Sequence, residues 1–169
     1  WLLVLISVSK FVYLISFIQS IFFAYATYYM TKNISKTSIA WLAVPTSVFI
    51  SFNPTLSLST LAVGYEAPVA ACFMMVLGVL IASKLNAEST QYKFAIFAGA
   101  WIALASFMQP RYLLAGAVML AVWGFGFANR KIGASAVLVA LMFSLIAPSI
   151  MIFRNYVAVD KPIVSTNFA

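Results

Sequence analysis

The chain has 169 residues, 64% of them apolar and 8% charged, with a mean hydropathy of +1.05; this excludes a water-soluble domain and a disordered one and fits an integral membrane protein. Ten Lys and Arg against three Asp and Glu give a net charge of +7, but the basic residues stand singly or in pairs, so they form no stripe for nucleic acid. With no His and one Cys, Cys72, zinc and haem sites of the usual kinds are excluded, as is an intramolecular disulfide.

A hydrocarbon core of about 30 Å takes roughly 20 helical residues, and the apolar runs recur between polar punctuation at that interval. Residues 1–9 are apolar and read as the end of a preceding span or as an interfacial stretch. The start at Trp1, with neither Met nor a basic leader, reads as an internal fragment and not as a signal peptide. Six spans are then predicted, over residues 11–30, 38–54, 66–83, 94–109, 112–128 and 133–153. Asn53-Pro54 breaks the 38–54 span, and Pro45 and Pro148 predict kinks. Pro110 and Arg111 alone join the 94–109 and 112–128 spans, which makes a tight helical hairpin. Small residues at Ala98, Gly99, Ala100, Ala103 and Ala105, and again at Ala115, Gly116 and Ala117, suit close helix packing. The runs are apolar on both parities, unlike the alternation of a membrane β-barrel. The fold class predicted is therefore an all-α integral membrane protein of about six transmembrane helices with short loops, a single domain over residues 1–169.

The loops carry the charge. Lys32, Lys36, Lys84, Lys93, Arg130 and Lys131 fall on one side, with Glu88; Lys10, Arg111, Arg154 and Lys161 fall on the other, with Glu66 and Asp160. The positive-inside rule puts the first set in the cytoplasm and the second at the outer face. Membrane lipids are the partners such scattered cations suit.

Glu66 stands in Tyr65-Glu66-Ala67-Pro68, between the Ser/Thr-rich stretch Ser57–Thr60 and a long apolar span. A carboxylate at bilayer depth is costly enough to mark a functional candidate; the competing reading is a helix N-terminus, where Pro68 suits the first turn and the acid meets the helix dipole. Arg154, in Phe153-Arg154-Asn155-Tyr156, has the geometry to grip a phosphate bidentately. Its competing reading is an interface anchor, with Tyr156 in the aromatic belt. Arg111, beside Gln109 and Pro110, has the same two readings. The residues spell no phosphate-cradling Gly-rich loop, nucleophile elbow, paired carboxylate or metal-ligand cluster.

The order of these features resembles the GT-C superfamily of membrane glycosyltransferases, the relatives of protein mannosyltransferases and aminoarabinose transferases. Asn53-Pro54, Ser57-Leu58-Ser59-Thr60 and Glu66-Ala67-Pro68 look like the family's Pro-closed span, outer stretch and acid-Pro pair, with one residue inserted between acid and Pro. Ala98 to Met108, Gln109-Pro110 and Leu113-Leu114 look like its later hairpin, with Gln109 where the family has Arg and Arg111 just beyond. Ala147-Pro148, Arg154-Asn155-Tyr156 and Lys161-Pro162-Ile163-Val164-Ser165-Thr166-Asn167 resemble the family's Ala-Pro, Arg-Asn-Tyr and Pro-Ser-Thr-Asn run, spacing included.

The resemblance implies transfer of a sugar from a polyprenyl-phosphate donor to a lipid, glycan or protein acceptor at the outer membrane face. It implies a catalytic role for Glu66, as the second acid of the pattern, orienting the site or helping to bind a divalent cation. Arg154, Asn155, Arg111 and Gln109 become the substrate-binding residues. It also places the family's first acidic loop upstream of Trp1, so this stretch alone is expected to be inactive, and it points to a bacterial inner membrane. Two readings compete: a transporter or permease fragment, and a non-catalytic assembly subunit.

Overall fold

The structure, a computed structural model, describes residues 8–61, 64–86, 91–126, 130–160 and 162. Every regular element among them is helical. Three segments are long and apolar enough to cross a membrane, Lys10–Ile34, Glu66–Lys84 and Gly133–Ala158. The chain divides into two compact units, Trp1–Gly78 and Val79–Ala169.

The first unit opens with α1 (Val8–Ile34). No Gly or Pro interrupts this run, so it extends without a break for 27 residues, about 40 Å. It ends where polar side chains take over the last carbonyls: Asn33 Nδ2 donates to Tyr29 O at 2.8 Å and Thr37 Oγ1 to Ile34 O at 2.7 Å. A single 3₁₀ turn, Ala40–Leu42, leads into α2 (Ala43–Ser51). Pro45 lies in the first turn of α2, where its missing N–H has no helical partner to lose, so it starts this helix and does not kink it.

The predicted break at Asn53-Pro54 is present, and it is sharper than a kink. Asn53 Oδ1 accepts the Leu56 N–H at 3.2 Å, which makes Asn53 the N-cap of a new helix, α3 (Pro54–Leu61), with Pro54 at its first position. The Ser57–Thr60 stretch expected between spans is thus helical. Both α2 and α3 pack on α1. The next helix, α4 (Glu66–Lys84), begins with an acid and ends with a base, each at the end its dipole favours. Of its most apolar window 72% is buried, against 17% for α1, because small and thin side chains such as Ala67, Ala71, Cys72 and Val76 fill it.

The second unit takes the last residues of α4 and adds α5 (Gln91–Met108), α6 (Tyr112–Phe125), α7 (Arg130–Ser144) and α8 (Ile146–Val159). The predicted hairpin is α5 and α6, joined through Gln109, Pro110 and Arg111. α5 packs on α6, α7 and α8. Small residues allow this: a Cβ on Gly99 would run into the Ala140 carbonyl oxygen and come within 2.7 Å of the Phe143 Cβ, and one on Gly116 would lie 2.5 Å from an Ile102 methyl. The 133–153 span appears as two helices meeting at Leu145. Pro148 sits in the first turn of α8, and it has no N–H to give the Ser144 carbonyl, so the helix is interrupted one turn earlier. Asp160 closes α8 in the left-handed conformation, φ 56° and ψ 30°, its N–H bonded to Tyr156 O at 2.9 Å.

Candidate functional site

Glu66 is the first residue of α4, half-buried, with Tyr65 O accepting the Val69 N–H at 3.0 Å just beside it. A carboxylate there is stabilised by roughly 0.3 to 1 kcal/mol by the helix dipole. Pro68 sits in the same first turn, as sequence reasoning placed it. No group of three or more His, Cys, Asp or Glu is assembled among the described residues.

The four other site residues belong to the second unit. Arg154 and Asn155 are brought together. Asn155 is 2% exposed, held in the core of the unit, and its Oδ1 accepts from Arg154 Nε at 3.1 Å and Nη2 at 2.9 Å. A buried amide thereby holds one edge of an exposed guanidinium. Exposed Phe153, Tyr156 and Val157 surround Arg154 along α8.

Arg111 is the N-cap residue of α6, exposed, with its guanidinium carbon 5.2 Å from the Tyr112 ring centroid. A cation at the positive end of a helix dipole is disfavoured by the same few tenths to 1 kcal/mol that favour an anion there. Gln109, two residues earlier, keeps its Oε1 buried with no hydrogen-bond partner among the described residues. Lys161 and Ile163 to Asn167, which complete the closing run of the sequence resemblance, lie outside the described residues, as does Glu88.

One cluster escaped the sequence reading altogether. A partly open groove of about 430 Å³ lies within the first unit between α1, α2 and α3, and eight of its ten lining side chains carry a hydroxyl. From α1 come Ser20, Thr27, Tyr28 and Thr31, with Phe23 and Ala24; from α2 come Ser47 and Ser51; from α3 come Ser57 and Thr60. The signal was present as spacing. Ser20, Ala24, Thr27 and Thr31 recur at steps of four, three and four, Ser47 and Ser51 at four, Ser57 and Thr60 at three, so each helix shows one hydroxyl-bearing stripe.

The hydroxyl protons are largely spent on the helices' own carbonyls. Ser20 donates to Ser16 O at 2.8 Å, Thr27 to Phe23 O at 2.9 Å, Thr31 to Thr27 O at 2.8 Å, Ser57 to Ser51 O at 3.1 Å and Thr60 to Ser57 O at 2.7 Å. What these five oxygens can still offer is lone pairs.

Compared with known proteins, the chain matches no family model, no curated protein and no solved structure.

Proposed function

We propose that this chain is part of a GT-C membrane glycosyltransferase with about six transmembrane helices, seated in a bacterial inner membrane and using a polyprenyl-phosphate sugar. The observation that carries the reading is Arg154 in its Arg-Asn-Tyr motif, with the guanidinium held along one edge by buried Asn155. A cation fixed in this way meets a lipid phosphate without reorganising when charge develops on it. Arg111, placed against the α6 dipole, gains most from a nearby anion.

In this reading a base of the family's first acidic loop takes the proton of the acceptor hydroxyl. The acceptor oxygen bonds to the sugar carbon, the bond from that carbon to the donor phosphate breaks, and the electron pair leaves on phosphate oxygen. Arg154 neutralises that charge; the resemblance assigns Arg111, Gln109 and Asn155 to substrate binding and Glu66 to orienting the site.

The test uses the full-length protein in nanodiscs, pooled radiolabelled polyprenyl-phosphate sugars and native lipid extract. Transfer by the parent is expected, falling by about 10²- to 10³-fold in Arg154→Ala, as for loss of one oxyanion-hole donor, and sharply in Glu66→Gln, with both variants folded. No transfer from any donor, or transfer indifferent to both substitutions, overturns the proposal. A permease is the second reading, favoured by the interruption of the helix at Asn53-Pro54, since broken helices recur at transporter binding sites; uptake into proteoliposomes without transfer would support it.

A further inference from the structure

From the hydroxyl-lined groove of the first unit we infer that the chain binds an uncharged polyol between α1, α2 and α3. Such a site stands apart from the transferase reading, because no residue of that site lines the groove. Chain composition makes the groove notable, since in a sequence 64% apolar hydroxyl-bearing residues would be expected scattered. Here three helices contribute eight of them to the lining of one groove.

Three properties select the ligand. Charge is the first: no Lys, Arg, Asp or Glu is among the lining residues, and the nearby Lys32 holds its ammonium 5.4 Å from the centroid of the Tyr28 ring, so an anion or a fully charged cation would leave water with no counter-ion in the groove itself, which is costly. Size is the second: about 430 Å³ lies in the range of small-molecule clefts, far more than a bare ion fills.

Hydrogen-bond polarity is the third property. Ser20, Thr27, Thr31, Ser57 and Thr60, all among the lining residues, direct their protons into backbone carbonyls, so that their oxygens are left as acceptors, with Thr27 Oγ1 also 3.5 Å from Met74 Sδ. Their complement is a molecule with several O–H donors. Ser47 and Ser51 add hydroxyls that can turn either way. Phe23 and Tyr28 supply aromatic surface for the C–H faces that a polyol also presents.

The test is equilibrium binding of radiolabelled myo-inositol and glycerol to the protein in nanodiscs, with glycerol 3-phosphate and choline as the anionic and cationic comparisons. Saturable binding of a neutral polyol, at one site per chain, is expected, with both charged compounds at least tenfold weaker. Thr27→Val keeps the side-chain shape and removes an acceptor; combined with Ser47→Ala it should weaken binding at least tenfold. A second pair, Ser51→Ala with Thr60→Val, should do the same, so a fold defect in one pair does not decide the outcome. Absence of saturable polyol binding to folded protein, preference for either charged compound, or binding unchanged in both folded pairs overturns the inference. Arg154→Ala should leave polyol binding unchanged, which separates failure here from failure of the transferase reading.

Discussion

Trp123 is 5% exposed, and its indole Nε1 donates to Ser83 Oγ at 2.7 Å across 40 residues of sequence. Ser83 in turn donates to Leu80 O at 2.6 Å, and its carbonyl accepts from Gln91 Nε2 at 2.8 Å. One buried serine thus ties the end of α4, the start of α5 and the core face of α6. Ser83 is fully buried, so no water replaces a lost partner. Ser83→Ala, which removes the acceptor of the indole N–H, is expected to cost about 1 to 3 kcal/mol. Reversible unfolding in mixed micelles measures it, and a loss below a few tenths would mean that the indole re-pairs. Nothing in the sequence announces this bond, because helical spacing tells which residues share a face and not which faces meet. Asn53 and Pro54 were legible for the opposite reason: N-cap and first-position preferences act within four residues. Glu66 was legible as a helix start on the same grounds.

At the scale of elements, spans and helices are different units. Hydropathy located the apolar runs well, and the ends of α4 and α5 lie within three residues of the expected 66–83 and 94–109. It missed that the 38–54 run holds only a 3₁₀ turn and the short α2, and that 133–153 divides into two helices, since Pro45 and Pro148 sit in first turns where the residue suits a start as readily as a kink. The hydroxyl groove was missed because Ser and Thr were weighed as local punctuation, while their helical period was left unused. Small residues were read correctly as contact surface: Ala98, Gly99, Ala103 and Ala105 are buried, while Ala100 is exposed. Helix propensity favours Ala over Gly by about 1 kcal/mol, but at Gly99 a Cβ meets the Ala140 carbonyl, a backbone atom that cannot rotate aside. Gly99→Ala should therefore lower the thermal midpoint, whereas Ala100→Leu should leave it within error. Equal effects at both positions would mean that α5 and α7 do not meet at Gly99.

For the whole molecule, the six-span arrangement makes a topological statement that can be tested without any substrate. Three segments meet the length and apolarity of a span; α6, with 14 residues, covers only about 21 Å. Were all six runs to cross, Lys36 and Arg111 would lie on opposite faces. In a Cys72→Ala background, Arg111→Cys should react with an impermeant maleimide applied to intact cells, and Lys36→Cys only after permeabilisation. Reaction of both from outside would remove one of the crossings between them, and the reverse pattern would invert the orientation that the basic residues set.

The charged ends of α4 also act as a ruler. Glu66 and Lys84 are separated by 18 helical steps, about 27 Å, close to the hydrocarbon thickness of a thin bilayer. In a thicker one, either the carboxylate or the ammonium is drawn below the headgroups, or the lipids around this helix compress to keep both wet. Acyl-chain length is thereby expected to act on this helix, and reconstitution in bilayers of graded thickness would show the mismatch.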